Sequence, residues 1–286
     1  MSAGIEVSPT ALASGNAATE RFRERGVRRG DPPTSPRRIS EIVNEVLHGI
    51  HDAIRRHKVT YTEYQAVKDW LISVGENGEW PLFMDVFLEH VVEEVAHEHR
   101  QGSQGTIEGP YYLPGQKTLP SHSALPMRED ERGTRFVFTG QVLGLEGEPV
   151  PFARLDLWHA DNDGYYSGFA PGIPEGNLRG VIVTDEHGKF AITTILPAPY
   201  QIPTDGAVGA LIRSAEWSPW RPAHLHLIVS KLGYFPLTTQ LYFRDGQWLD
   251  NDIAQATKPE LILDVAPNPV GVLETHYDFT LDPVQP

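Results

Sequence analysis

The sequence contains no cysteine. That excludes in one step a disulfide framework, a thiolate zinc site, an iron–sulfur cluster and a cysteine nucleophile. Any metal would have to be held by His, carboxylate or Tyr. Positive charge is also scarce: 24 Lys and Arg stand against 38 Asp and Glu in 286 residues, a formal net charge of −14. A polyanionic surface repels phosphate at a distance, so neither nucleic acid nor an anionic membrane is an expected partner, and small uncharged molecules are. Long apolar runs are missing too. None approaches the roughly 20 residues that span a bilayer, and Met1 to Thr19 lack the basic start and apolar stretch of a secretory signal. The expectation is a soluble cytoplasmic protein, long enough to bury a sizeable core.

What is present divides the chain in three. Residues 1–36 are rich in Ala, Ser and Gly and then in Arg (Arg21, Arg23, Arg25, Arg28, Arg29, Arg37 and Arg38 at its end), and read as a disordered arm. Over 37–105 the apolar spacing is helical. Ile39, Ile42, Val43, Val46, Leu47, Ile50 and Ile54 stripe one side of a first helix for burial. Thr60 with Glu63 forms a capping box before a second helix, and Leu82, Phe83, Val86, Phe87, Val91 and Val95 predict a third that ends at the Gly-rich stretch 101–105. From 106 to 286 Gly and Pro recur every few residues and apolar positions alternate, as in Ala153, Leu155 and Leu157. Short strand-like runs at 136–143, 181–184, 190–195, 224–229 and 238–243 suggest a two-sheet sandwich. An acidic turn with glycine occurs twice, at Asp161-Asn162-Asp163-Gly164 and at Asp185-Glu186-His187-Gly188, and reads as repeated hairpin chemistry.

Within this half, Arg221-Pro222-Ala223-His224-Leu225-His226-Leu227-Ile228-Val229 sets two histidines two apart in a strand-like run. In a strand both imidazoles point to one face and can reach one ion, while Leu225 and Leu227 face the other way. An isolated His-x-His is a weak signal, and two hydrogen-bonded histidines at a sheet edge are the commoner case. His90, His97 and His99 form a competing set, but their surroundings are helical, positions two apart diverge by roughly 200°, and Glu93, Glu94 and Glu98 suit a solvated face. No carboxylate motif completes the His224–His226 pair. Tyrosines beside Gly and Pro do occur, in Gly164-Tyr165-Tyr166-Ser167 and Pro197-Ala198-Pro199-Tyr200-Gln201-Ile202-Pro203; read singly, each fits a core or surface tyrosine.

Five segments in this order resemble the intradiol ring-cleaving dioxygenases, specifically their catechol 1,2-dioxygenase and hydroxyquinol 1,2-dioxygenase branch. They are Thr106-Ile107-Glu108-Gly109-Pro110-Tyr111-Tyr112; Leu157-Trp158-His159-Ala160 running into Gly164-Tyr165-Tyr166-Ser167; Asn177-Leu178-Arg179-Gly180; Tyr200 with Ile202-Pro203-Thr204-Asp205-Gly206; and Arg221-Pro222-Ala223-His224-Leu225-His226. The resemblance runs from about Ile39 to Pro283. It implies an α+β protein, with an N-terminal helical dimerisation layer (37–105) followed by a mixed-topology β-sandwich catalytic domain (106–286). It implies Fe(III) held by Tyr166, Tyr200, His224 and His226, with Arg221, Gln240 and Tyr200 as catalytic groups, and O2-dependent cleavage of catechol to cis,cis-muconate in aromatic-compound catabolism. Two hard, anionic phenolate donors with two neutral imidazoles suit ferric iron.

The resemblance further implies a pocket of Leu82, Asp85, Ile107, Gly109, Pro110, Tyr111, Ile202, Pro203, Arg221, Ile253 and Ala254, and a homodimer whose helical interface can hold a phospholipid. Asp85 could accept a hydrogen bond from a third ring hydroxyl and favour hydroxyquinol, whereas small Ala254 leaves room for catechol or a chlorinated or methylated ring. Catechol is the expected substrate. Two readings from other classes stand beside it: a non-catalytic transthyretin-like binding module, and a zinc hydrolase built on His224 and His226, which needs a third His or carboxylate ligand.

Overall fold

The computed structural model describes residues 35–284. The arm expected over 1–36 lies almost wholly outside the described residues. Helix α1 (Pro36–His57) starts at Ser35, whose side chain accepts from the Arg38 N–H, and ends in the basic turn Arg55, Arg56 and His57. The capping box of Thr60 and Glu63 opens α2 (Tyr61–Glu76) as the sequence predicts. The third expected helix is two: α3 (Trp80–Phe87) and α4 (Glu89–His97), broken at Leu88, where φ is −129°. The break aims the Glu89 carboxylate at the backbone N–H groups of Glu108 and Gly109, at 2.9 and 3.1 Å. No helix among the described residues is long and apolar enough to cross a membrane.

The stripe on α1 predicts burial, yet among the described residues none of α1 is buried, and Val46 is 56% exposed. The rest of the helical layer does dock. Trp70 Nε1 donates to the Ala207 carbonyl at 2.7 Å, and Glu79 accepts from the Val208 N–H at 3.0 Å. Glu79 thereby caps the start of α5 (Ala207–Ser214) from a different layer.

The strands, in chain order, are β1 (Thr118–Leu119), β2 (His122–Ala124), β3 (Arg135–Gly144), β4 (Arg154–Trp158), β5 (Arg179–Val183), β6 (Lys189–Ile195), β7 (Tyr200–Gln201), β8 (Trp220–Arg221), β9 (His224–Ser230), β10 (Leu237–Phe243), β11 (Ile262–Leu263), β12 (Ala266–Pro267), β13 (Leu273–His276) and β14 (Phe279–Leu281). One sheet runs β1-β5-β4-β9-β10-β11. The other runs β12-β13-β3-β6-β2, with β14 also paired to β3. Pairing is mixed: β1–β5 and β10–β11 are parallel, while β5–β4–β9–β10 is antiparallel.

The alternation of β3 turns Phe136, Phe138 and Val142 inward, where they meet Leu225, Leu227 and Val229 of β9 and Leu241 and Phe243 of β10. The opposite face of the first sheet is covered by a second apolar cluster. It joins Val74, Leu82 and Val86 of the helical layer to Ile107, Tyr111, Trp158, Tyr166, Tyr200, Ile202 and Ala254. The side chains expected to carry chemistry lie between that cluster and the sheet.

Candidate metal centre

Strand register places half of the site. In β9 the two-residue period sends Leu225 and Leu227 into the sandwich and His224 and His226 to the outer face. Gln240 is the cross-strand neighbour of His226 on β10, and Tyr242 that of His224. Trp158 is the neighbour of His226 on β4 and stacks on it, with ring centroids 4.7 Å apart at 9°. Tyr200 and Arg221 face each other across β7 and β8.

Tyr166 arrives on a turn. Asp161 Oδ1 accepts from the N–H groups of Asp163 and Tyr165, each at 3.0 Å, and Asp185 Oδ1 accepts in the same way from His187 and Lys189, each at 2.8 Å. The repeated acidic-glycine segment is therefore one turn used twice. Gly164 is required at the first copy: its φ is +85°, and a Cβ there would lie 2.8 Å from Cβ of Tyr200. That close approach seats the two tyrosine rings edge to face, with centroids 5.3 Å apart at 83°.

The donor atoms converge. His224 Nε2 lies 3.0 Å from His226 Nε2, and the Tyr166 hydroxyl lies 3.1 Å from the same His226 nitrogen. Two ligands about 2.1 Å from one ion and at right angles to it are about 3 Å apart, so these separations suit a shared first-row metal. His224 Nδ1 donates to the Pro222 carbonyl at 2.7 Å, which leaves the Nε2 lone pair facing inward. The Tyr200 hydroxyl is buried without a hydrogen-bond partner, an orphan that a metal would satisfy. All four side chains are buried.

Electrostatics agree with this geometry. Burial pushes the Tyr166 phenol well above its ordinary value, and the neighbouring Tyr200 adds to that; burial also raises Tyr200. Burial pulls His224 down to about 3, helped by Arg221, and pulls His226 well below the usual imidazole value. Left alone, the site is two neutral phenols and two neutral imidazoles. A trivalent cation among them would reverse the phenol preference and gain two anionic oxygens. Among the described residues, no group of three His, Cys, Asp or Glu could hold an ion. The zinc-hydrolase alternative thus lacks its third ligand.

Arg221 is fully buried and reaches in several directions. Its Nε and one terminal nitrogen donate to the Asp252 carboxylate at 2.9 and 3.0 Å, and the same terminal nitrogen donates to Gln240 Oε1 at 2.8 Å. The other terminal nitrogen lies 3.3 Å from His224 Nε2. Burial works to raise the Asp252 carboxyl, but the Arg221 guanidinium outweighs it and holds the group below the usual carboxylate range. Gln240 completes the network: its Oε1 accepts from Tyr242 at 2.7 Å, and its Nε2 donates to the Ile107 carbonyl at 2.8 Å and lies 3.2 Å from His226 Nδ1.

Among the expected pocket residues, Leu82, Ile107, Tyr111, Ile202 and Ala254 share the apolar cluster with both tyrosines, and Ile253 packs against it. A Cβ on Gly109 would stand 3.4 Å from His226 Cε1, so Gly109 borders the donors directly. Tyr111 stacks on Tyr166, with centroids 4.4 Å apart at 12°, and lines a cavity of about 460 Å³ together with Tyr166, Tyr200, Pro203 and Trp220. Asp85 is half-buried on α3, where its charge acts on Glu89. Pro110 is buried in the strap between Gly109 and Tyr111. The His90, His97 and His99 set does not converge: His97 is taken up by the Glu93 carbonyl and carboxylate at 3.0 and 3.1 Å.

Sequence reasoning missed Asp252, Tyr242 and Glu89. The one available signal was indirect: a buried strand arginine demands a carboxylate, and Asp250-Asn251-Asp252 offered two. Arg179, noted only within a motif, proves to be a buried tie. It donates to Ser167 Oγ at 2.8 Å and to the Tyr111 carbonyl at 2.7 Å, and its guanidinium sits 5.8 Å from the Tyr166 ring centre.

Residues 107–283 match the family described as Dioxygenase, and residues 36–104 match Catechol dioxygenase N terminus. A chlorocatechol 1,2-dioxygenase of Rhodococcus opacus is 42% identical over 231 residues, 80% of this chain and 90% of that protein. A catechol 1,2-dioxygenase of Acinetobacter baylyi is 32% identical over 238 residues, 79% of this chain and 76% of that protein. Among solved structures, a 3-chlorocatechol 1,2-dioxygenase from Rhodococcus opacus superposes with a TM-score of 0.84 at 49% identity, covering 87% of this chain and all (100%) of that one.

Proposed function

This chain belongs to the intradiol ring-cleaving dioxygenase family, and from that premise we propose that it uses ferric iron and O2 to open a catechol between its two hydroxylated carbons, yielding a cis,cis-muconate. The observation that carries the iron is the ligand-to-ligand spacing of the Tyr166, His224 and His226 donor atoms, beside which the Tyr200 ring lies 5.3 Å from that of Tyr166 and 5.7 Å from that of His224 with its hydroxyl buried and orphaned. Iron bound there would supply a Lewis acid that polarises a chelated catecholate toward O2.

The chain's own groups do the rest. Tyr166 is held by the stack with Tyr111 and by the Asp161 turn, so it serves as the fixed phenolate. Tyr200 sits on a two-residue strand beside Arg221 and would be a second residue to hold the iron, its Oη being the base that would take a catechol proton. Arg221 is locked by Asp252 and Gln240 with a terminal nitrogen beside His224. There a fixed positive charge can stabilise negative charge developing on the ring, a role worth about 3–4 kcal/mol in comparable sites. Ile107, Ile202 and Ala254 keep water out.

The domain division we propose is a helical association layer over 37–105 and a catalytic sandwich over 106–286. The exposed stripe on α1 supports a homodimer, since a row from Ile39 to Ile54 that finds no cover among the described residues fits the same row of a second copy. A phospholipid between the paired helices would suit the same apolar surface. Catechol is the main substrate reading. Small, fully buried Ala254 and the likeness to chlorocatechol dioxygenases favour a second, halogenated catechols.

Oxygen uptake by ferric-loaded protein against catechol, 3-chlorocatechol and hydroxyquinol tests the reaction and ranks the substrates. One O2 consumed per catechol, with a ring-opened diacid as product, is expected. Turnover of none of the three would defeat the proposal. Asp85→Ala should lower the hydroxyquinol-to-catechol rate ratio, and an unchanged ratio would remove Asp85 from substrate choice.

A further inference from the structure

Residues 106–112 form a strap across the outer face of the first sheet, and each stretch of it is tied down. Thr106 is bonded through its N–H to the Thr238 carbonyl at 3.0 Å and through its hydroxyl to the Ala256 carbonyl at 3.0 Å. The Ile107 carbonyl accepts from Gln240 at 2.8 Å, and the Tyr111 carbonyl accepts from Arg179 at 2.7 Å. The middle is held from elsewhere. The successive N–H groups of Glu108 and Gly109 converge on the two oxygens of Glu89, at 2.9 and 3.1 Å. Gly109 has φ +72°, and consecutive N–H groups of this kind form a concavity that receives an anion. Glu89 opens α4 directly after the break at Leu88, so this tie joins the helical layer to the strap.

We propose that Glu89 is a positioning residue, the latch by which the helical layer holds Gly109 and Tyr111 against the face that carries His226 and Tyr166. The proposal rests on reading those two residues as part of the catalytic centre. Only Gly109's missing side chain separates the strap from the donors, since a Cβ there would be 3.4 Å from His226 Cε1 and 3.9 Å from Gln240 Nε2. Tyr111, two residues on, stacks on Tyr166 at 4.4 Å. A strap that lifts by one hydrogen bond would open the substrate's side of the site without touching a ligand.

The arrangement carries a standing cost, which argues that it is kept for a purpose. Glu89 is largely buried beside two further acids, Asp85 one turn before it and Glu108 on the strap. Burial first, then repulsion from Asp85, pushes its carboxyl up to about 7, although both N–H bonds pull the other way. A neutral side chain would avoid that penalty, but an amide offers one acceptor oxygen where the two N–H groups address two.

The test uses the full chain with Glu89→Ala, Glu89→Gln and Glu89→Asp. In metal-free protein, hydrogen–deuterium exchange over 106–112 should accelerate about tenfold or more in Glu89→Ala, the loss expected when charge-assisted hydrogen bonds go, while β9 and β10 keep their protection. In ferric-loaded protein the KM for catechol should rise about tenfold, with kcat within about threefold, and Glu89→Asp should recover part of the affinity. Glu89→Gln keeps the volume and one acceptor oxygen, and stands in if the alanine variant does not fold. Unchanged exchange in the strap would overturn the latch, as would acceleration spread evenly over the sheets, or a loosened strap with an unmoved KM. A wild-type chain that takes up no iron would instead defeat the functional reading and leave the exchange result to decide the latch alone.

Discussion

Removing the Asp252 carboxylate should damage the protein twice, in stability and in turnover. In the native fold its two oxygens accept from Arg221 at 2.9 and 3.0 Å and from the N–H groups of Ala254 and Ala256 at 3.1 and 3.3 Å, with only 2% of either charged side chain exposed. Asp252→Ala leaves a buried guanidinium without its counter-ion, which in comparable sites costs about 3–5 kcal/mol. For 286 residues, at about 2.1 cal/mol/K of unfolding entropy each, that is roughly 5–8 °C in melting temperature. Arg221 would also lose the pair that aims it at His224, so turnover should fall by about two orders of magnitude.

The pH dependence has a definite sign. The Asp252 pKa is depressed in the fold, so its contribution is present above the ordinary carboxylate value and lost as pH falls through the depressed one. Thermal melts at pH 7 and in mild acid, with oxygen uptake at pH 7, measure both effects. A double variant, Arg221→Met with Asp252→Leu, should recover part of the stability and none of the activity, because no unpaired charge remains. If Asp252→Ala melts within about 2 °C of the parent and turns over normally, the buried pair does not organise this site.

Three further outcomes are expected. Gly164→Ala puts a methyl into a left-handed turn and against Tyr200, and should cost about 1–3 kcal/mol on chemical denaturation while weakening any tyrosinate colour. Glu89→Gln should flatten the dependence of melting temperature on pH: the Glu89 carboxyl is raised to about 7, so in the parent its contribution is full below the ordinary carboxylate value and lost as pH rises through 7. Val46→Glu with Ile50→Glu, at positions 56% and 49% exposed within the chain, should convert a dimer to monomer in light scattering; a persisting dimer would place the interface elsewhere.

Much of the site was legible because strand periodicity is local. The period of two alone put His224 and His226 on one face and Leu225 and Leu227 in the core. The repeated acidic-glycine segment likewise predicted a turn that recurs at Asp161 and Asp185 with the same hydrogen bonds. Features made by distant partners were not legible. Asp252 lies 31 positions from Arg221 in a turn without apolar rhythm, so nothing nearby marks it as a counter-ion. The break at Leu88 interrupts an apolar pattern that continues smoothly through Val91, because its counterpart is a pair of N–H groups 19 and 20 residues on. Periodicity on α1 announced an apolar face but could not say which surface covers it, and none of the described residues does.

The central claim is that Tyr166, Tyr200, His224 and His226 bind ferric iron that a catechol then chelates. A visible absorption spectrum of ferric-loaded protein, recorded before and after adding catechol without oxygen, tests it most directly. A tyrosinate charge-transfer band that weakens in Tyr166→Phe and shifts to longer wavelength with catechol is the predicted result. A protein that stays colourless after ferric loading, or a band indifferent to both the substitution and the catechol, would contradict it.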